Sequence, residues 1–134
     1  MNHRIYKAKP HRTWILLAYR SGARLYLGRG KDCQVTLVEK FDYPEGRRQT
    51  SGVDADVLAH RLALFLREGR THQEFNDLVL VAEPGFLGKI GRFLDKETSR
   101  HLIGTLNQDW SDLPDREIYG KIRELVLEQN QKAA

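Results

Sequence analysis

The sequence contains little cysteine and no long hydrophobic run. Cys33 is the only cysteine among the 134 residues, so no disulfide can form within the chain, which fits a reducing compartment. The longest apolar run, residues 14–19, is much shorter than the roughly 20 residues of a membrane-spanning helix. It is also too short for the apolar core of a secretory signal behind the basic N-terminus. We therefore expect a soluble, cytoplasmic protein without a membrane partner.

Acidic residues are missing from the first 12 positions. This stretch carries Arg4, Lys7, Lys9 and Arg12, whereas the rest of the chain has 18 basic and 18 acidic residues. A short basic arm is able to contact phosphates without sequence specificity, although frayed, solvated termini are common. The remaining length is enough for one hydrophobic core but not for two. We therefore predict a basic arm over residues 1–12 and a single domain over residues 13–130.

Five apolar segments predict the strands of this domain. Residues 14–19 and 23–27 flank a glycine-containing turn and predict a hairpin. Residues 34–41 alternate in polarity and predict a third strand at the sheet edge. Residues 78–82 are uninterrupted apolar residues, which is typical of a strand buried on both faces. Residues 102–106 predict a short fifth strand.

Three further segments have the apolar spacing of amphipathic helices. They cover residues 53–69, residues 85–100 and a final segment that starts at residues 112–114. Their inward stripes are Val57, Leu58, Leu62, Phe65 and Leu66; then Phe86, Leu87, Ile90, Phe93 and Leu94; then Ile118, Ile122, Leu125 and Val126. Right-handed crossovers from strand one to four and from four to five give the order 3-2-1-4-5. The sequence therefore predicts an α/β fold, a ribonuclease H-like mixed five-stranded sheet with three helices.

Nucleases of this topology hold two metal ions between carboxylates on the first strand, the first helix and the end of strand four. Here residues 13–27 contain no acid. Strand four ends at Glu83, and Asp54 and Asp56 lie at the start of the first helix, where acids usually interact with the helix dipole. We therefore expect Glu83, Asp54 and Asp56 to be capping or turn residues. We predict no catalytic residue, no metal site and no cofactor.

Other residues that are able to carry chemistry are isolated in the sequence. Cys33 follows a turn without a motif around it. His60, His72 and His101 lack companion metal ligands. We interpret them as surface or boundary residues.

Basic residues form two further candidate surfaces. On the helix predicted after strand four, Lys89, Arg92, Lys96 and Arg100 recur at steps of three and four residues, opposite the apolar stripe. They form a basic ridge that Asp95 and Glu97 interrupt. A second basic group lies in the polar loop of residues 42–52. Such surfaces are able to follow a nucleic-acid backbone, and the alternative is an ordinary charged helix face. The residues predicted to contact nucleic acid are Arg47, Arg48, Gln49, Lys89, Arg92 and Lys96.

Five stretches occur in a distinctive order: residues 14–26, 41–46, 77–87, 93–96 and 113–114. As a set they resemble the bacterial host attachment proteins, a family similar to the middle domain of archaeal and eukaryotic peptide-chain release factors. The resemblance covers about residues 13–125. It implies an α/β module that acts on RNA or the ribosome, or one that affects attachment to host cells.

Two features of the chain depart from that family. The family often has an acid at the position of Tyr19, and its loop before the first helix is usually longer than residues 45–52. In release factors the corresponding loop carries Gly-Gly-Gln, which positions water for peptidyl-tRNA hydrolysis. Gln49 lacks the paired glycines here, so the resemblance does not extend to hydrolysis.

The favoured hypothesis is a non-catalytic, release-factor-like module that binds RNA or the ribosome. The alternative is a cytoplasmic protein-interaction or regulatory factor that affects host-cell attachment indirectly, because no export signal is evident. A metal-dependent hydrolase is less favoured and is retained because folds of this kind host enzymes. The oligomeric state is not predicted.

Overall fold

The computed structural model describes residues 11–29, 34–43 and 52–133, apart from the side chains of residues 52–54 and 130–133. These residues form five strands and four helices. In chain order the elements are β1 (Arg12–Tyr19), β2 (Gly22–Arg29), β3 (Gln34–Asp42), α1 (Gly52–Thr71), β4 (Asp77–Ala82), α2 (Pro84–Phe93), α3 (Lys96–Ser99), β5 (Leu102–Asn107) and α4 (Asp115–Ala133). Residues 1–10 of the predicted arm lie outside the described residues, and β1 begins one residue before the predicted domain.

The strands form one mixed sheet in the order β3-β2-β1-β4-β5. β1 pairs antiparallel with β2 and parallel with β4. β3 and β5 take the two edges, β3 antiparallel to β2 and β5 parallel to β4. Parallel neighbours need crossover connections, which contain α1 before β4 and both α2 and α3 before β5. The predicted ribonuclease H-like topology and strand order are therefore confirmed.

Alternate side chains of β1 and β4 enter two different cores, because successive residues of a strand point to opposite faces. Leu16 and Leu80 lie on the face that α1 and α2 cover. Ile15 and Val79 lie on the other face, where α4 packs. All four side chains are buried. The central strands are thus enclosed by helices on both sides, as the uninterrupted apolar run of β4 predicts.

The prediction of a single helix over residues 85–100 is wrong, because this segment contains two helices. The structure has α2, which ends at Phe93, and the short helix α3, which begins at Lys96. Leu94 and Asp95 between them have extended backbone, and Asp95 is the N-cap residue of α3. Aspartate favours this position over a helix interior. The three longer helices correspond to the three predicted ones, and α3 is an additional short helix.

The end of α1 also differs from the prediction, which places it near Gly69. The helix continues to Thr71, and Gln73 then adopts a left-handed conformation with φ of 57°. The amide of Gln73 donates to the carbonyl oxygen of Arg70 at 2.9 Å, and the amide of Glu74 donates to that of Gly69 at 2.8 Å. These bonds form a Schellman motif with glutamine at the position that glycine usually takes.

Gly69 is required by packing and not by helix termination. A Cβ at this position would lie 2.5 Å from two ring atoms of Trp14. The Trp14 ring stacks on Phe65 at a centroid distance of 5.3 Å and contacts Phe75 at 4.8 Å, so neighbouring rings restrict its movement. The missing side chain therefore lets α1 approach β1 closely.

Replacing Gly69 by alanine should lower the free energy of unfolding by about 1–3 kcal/mol, the usual cost of overpacking a core. Gly88→Ala is the matched control, because a Cβ there meets no atom within 4 Å and alanine is favoured over glycine in helices by about 1 kcal/mol. Urea denaturation of both variants measures the two effects. Unchanged stability of Gly69→Ala would show that the Trp14 ring is free to move.

Candidate nucleic-acid interface

The carboxyl ends of β1 and β4 are the positions at which enzymes of this topology need acids. β1 ends at Tyr19, and Glu83 follows β4. The Glu83 side chain accepts a hydrogen bond from the Phe86 amide at 3.2 Å as the N-cap of α2. The predicted capping role of Glu83 is therefore confirmed.

Asp56 has a different role from the predicted one. It forms an ion pair with Lys89, with 2.6 Å between Oδ1 and Nζ, and so links α1 to α2 instead of capping α1. The side chain of Asp54 lies outside the described residues. Sequence spacing does not reveal this pair because the two residues are 33 positions apart. The charge of Lys89, one of the predicted contact residues, is thus partly compensated within the protein.

A half-buried cation lies close to the carboxyl end of β1. Nη1 of Arg24 on β2 donates to Oδ1 of Asp115 at 2.8 Å. Burial alone would lower the pKa of Arg24, but hydrogen bonds with Tyr26, Asp115 and Tyr19 raise it. Burial in turn raises the pKa of the Tyr26 hydroxyl. A positive charge therefore occupies this region, and the described residues contain no group of three or more His, Cys, Asp or Glu that could hold a metal ion.

Sequence reasoning missed the Arg24 cluster. The available signal was a charged residue on the same face of β2 as Tyr26, two positions away. Asp115 comes from the first turn of α4, 91 residues later. Only the packing of α4 against the sheet brings these groups together.

The predicted basic ridge is divided by the break between α2 and α3. Arg92 lies in the last turn of α2 and Lys96 begins α3. Both are exposed, and neither has an ion pair within the part of the chain that the structure describes. Arg100 binds both carboxylate oxygens of Glu97, at 2.9 and 3.2 Å. Two ridge residues therefore keep uncompensated charges, whereas Arg100 is paired.

Phe93 adds an aromatic side chain to this surface. The sequence predicts an inward position for it, but the structure leaves 37% of the residue exposed, because α2 ends there. Its ring lies 5.0 Å from the ring of His60 on α1, with an interplanar angle of 43°. Val57, also predicted to face inward, is exposed to the same extent. We call the group of His60, Lys89, Arg92, Phe93 and Lys96 the α1–α2 surface.

The other predicted contact residues, Arg47, Arg48 and Gln49, lie outside the described residues. Of the six, the three on the helices are close in the chain. The Asp56–Lys89 and His60–Phe93 contacts join their segment to α1. The structure therefore places Lys89 and Phe93 of α2 beside α1, whereas Lys96 follows the break and lies on α3.

Arg70 of α1 holds α3, which carries Lys96, against the domain. Its Nε donates to Oγ1 of the buried Thr98 at 3.0 Å, and its Nη2 lies 3.4 Å from Oδ2 of Asp95. Partial burial would raise the pKa of Asp95, but hydrogen bonding with Thr98 and the charge of Arg70 lower it below its ordinary value. The ionised form of Asp95 is thus the one that the fold stabilises.

A family model matches residues 52–122, which is more than half of the chain, and its description is "Protein required for attachment to host cells". The chain belongs to this family. The match begins with α1 and ends within α4, so it includes all five residues of the α1–α2 surface. The host attachment family predicted from the sequence is confirmed.

Two solved structures match this host attachment family member at low sequence identity. One, described as an archaeal protein, is 12% identical with a TM-score of 0.50, and the match covers 91% of this chain and 38% of that one. An archaeal translation termination factor, aRF1, is 10% identical with a TM-score of 0.45, over 92% of this chain and 42% of that one. The chain therefore spans about two fifths of each protein. At this identity the likeness concerns the fold alone.

Among curated proteins, no match to this family member was found. Within the described residues, no helix combines the length and apolarity needed to cross a membrane.

Asp95→Asn should reduce the acid dependence of stability. A carboxyl whose pKa is lowered in the folded state stabilises the protein above its ordinary pKa, and this contribution is lost as the pH falls through the folded-state pKa. The side chain is 31% exposed, so we expect a loss of up to about 1 kcal/mol at pH 7 and almost none at pH 2. Urea denaturation at the two pH values measures the difference.

Asp112→Asn provides the control for that experiment. Asp112 is exposed and has no ion pair within the described part of the chain. Its replacement should leave the difference in stability between pH 7 and pH 2 unchanged. An equal loss in both variants would mean that the Arg70–Asp95 contact has no stabilising effect.

Proposed function

We propose that this protein is a non-catalytic module that binds single-stranded RNA, including exposed segments of ribosomal RNA, through the α1–α2 surface. The observation that carries the proposal is the exposed Phe93 ring beside His60, with the exposed, unpaired Arg92 and Lys96 one and three residues away in the chain. An aromatic platform next to cations is the combination that single-stranded nucleic acids require.

Each part of the surface has a distinct task in this proposal. Arg92 and Lys96 bind phosphates, which gives affinity that depends on salt. The Phe93 ring stacks on a base, an interaction that contributes about 1–3 kcal/mol and tolerates any base. Lys89 contributes less, because Asp56 already compensates its charge.

The non-catalytic part of the proposal rests on the carboxyl ends of the strands. Glu83 is engaged in capping α2, and Asp115 is engaged in the ion pair with Arg24 near the end of β1. Neither carboxylate is therefore free to bind the metal ions that two-metal phosphoryl chemistry needs. This arrangement supports binding without cleavage.

Fluorescence anisotropy with a labelled single-stranded RNA of mixed sequence tests the proposal at several salt concentrations. Arg92→Gln/Lys96→Gln should weaken binding and reduce the slope of log affinity against log salt by about 0.7 for each phosphate that the protein no longer neutralises. Phe93→Ala should weaken binding roughly tenfold with little change in slope. Separate variants of Arg47 and Arg48 measure any contribution from the loop.

Arg116→Gln/Arg123→Gln is the matched control for charge. Both residues are exposed on α4, which packs on the opposite face of the sheet from α1 and α2. This variant should keep the affinity of the unchanged protein. The proposal would be refuted if both the Arg92→Gln/Lys96→Gln variant and the Phe93→Ala variant bound RNA as tightly as the wild-type protein.

A second candidate function is protein interaction in support of host-cell attachment, the role that the family description names. The observation that favours it is the edge strand β3, on which Leu37 and Val38 are 46% and 45% exposed. An open edge with apolar side chains is able to accept a strand from another protein. In this case Leu37→Lys should reduce attachment in a complemented deletion strain, whereas Arg92→Gln/Lys96→Gln should not. The reverse result would favour RNA binding.

A further inference from the structure

A cleft of about 370 Å³ lies at the amino ends of the parallel strands, whereas Glu83 lies at their carboxyl ends. Its lining residues are Arg12, Arg70, Gln73, Phe75, Asn76 and His101. We call it the amino-edge cleft. Ligand pockets usually measure about 300–1,000 Å³, so this one has the size for a small molecule.

The two guanidinium groups of the cleft have more hydrogen-bond donors than the protein uses. Arg12 donates through Nη2 to the carbonyl oxygen of Gln73. Arg70 donates to Thr98 and lies beside Asp95. Nε of Arg12 is buried and has no acceptor among the described residues. Since each guanidinium carries five N–H donors, these contacts leave most of the donors without an acceptor among the described residues.

The charge of the cleft is positive, because none of its six described lining residues is acidic. Nearby acids have other contacts. Oδ2 of Asp77 binds Nε2 of His11 at 2.5 Å. Glu74 does not line the cleft and belongs to the lining of a separate groove beside Trp14. Within the described ranges, Asp95 is the one carboxylate paired with either cleft arginine.

The backbone around the cleft holds its polar groups in place. Oδ1 of Asn76 accepts a hydrogen bond from the Arg12 amide at 2.8 Å, and the Asn76 carbonyl oxygen accepts one from Nδ1 of His101 at 2.8 Å. Because a carbonyl oxygen only accepts, Nδ1 carries the proton. The left-handed Gln73 places its carbonyl oxygen against Arg12 in a conformation that glycine adopts more readily. The site is thus largely formed without a ligand.

We propose that the amino-edge cleft binds a small phosphate-bearing anion. Arg12 and Arg70 are its charged ligands, since a planar guanidinium matches the geometry of phosphate oxygens. The side-chain amide of Gln73 supplies a further hydrogen bond, whereas the Nδ1 proton of His101 is already donated to the Asn76 carbonyl oxygen. This site is separate from the α1–α2 surface and does not depend on RNA binding.

An NMR titration of the full chain with inorganic phosphate at constant ionic strength tests the proposal on the unchanged protein. The amide signals of Arg12, Gln73, Asn76 and His101 should shift and reach saturation together. A second titration uses ribose 5-phosphate. Tighter binding of the sugar phosphate identifies a phosphomonoester as the ligand class, and equal or weaker binding identifies free phosphate.

Arg12→Gln should raise the dissociation constant for phosphate roughly tenfold or more, the effect of losing a charge-assisted hydrogen bond. Arg12→Lys keeps the charge but loses the planar fork, so it should have an intermediate effect. Arg116→Gln, on α4 and outside both proposed sites, is the control and should bind phosphate unchanged. The dispersion of each spectrum shows whether the variant is folded.

Two results would overturn the inference. One is a shift that fails to saturate or that is as large at Arg116 and Arg123 on α4 as in the cleft, which would indicate non-specific charge effects. The other is unchanged phosphate affinity in folded Arg12→Gln, which would leave Arg12 with a structural role only. Neither result concerns RNA affinity, so the two proposals fail or stand separately.

Discussion

The double-sided burial of the parallel pair β1 and β4 is the constraint on which the rest of the structure depends. Leu16 and Leu80 enter one core while Ile15 and Val79 enter the other. Neither strand has a face that tolerates water, so helices must cover both sides of the sheet. This requirement places α1 and α2 on one face and α4 on the other. The two proposed binding surfaces occupy what this packing leaves exposed.

The charged groups around that core are of two kinds: those that have partners within the protein and those that are available to a ligand. Acids near the carboxyl ends of the central strands are engaged, Glu83 as a helix cap and Asp115 with Arg24. At the α1–α2 surface and the amino-edge cleft, by contrast, basic groups exceed their acidic partners. This excess of basic groups is the basis of both proposed binding sites. The likeness to solved structures concerns the fold and implies no activity.

Much less of the candidate site than of the fold was predictable. The basic residues of the ridge were evident from their spacing, and so was the capping position of Glu83. The pairing of Lys89 with Asp56, the exposure of Phe93 and the Arg24 cluster were not. Each depends on contacts between distant segments or on where a helix ends, and local periodicity carries no information on either.

The sequence by itself determined the strands, the three longer helices, their order in the sheet and the family. Apolar periodicity and the handedness of crossovers are local and general rules, so they operate without knowledge of packing. Tertiary structure alone decided that Gly69 faces Trp14, that α2 stops at Phe93 and that Arg12 and Arg70 meet at one cleft. These outcomes depend on which side chains come into contact after the helices dock. A linear pattern contains the side chains but not the distances between them.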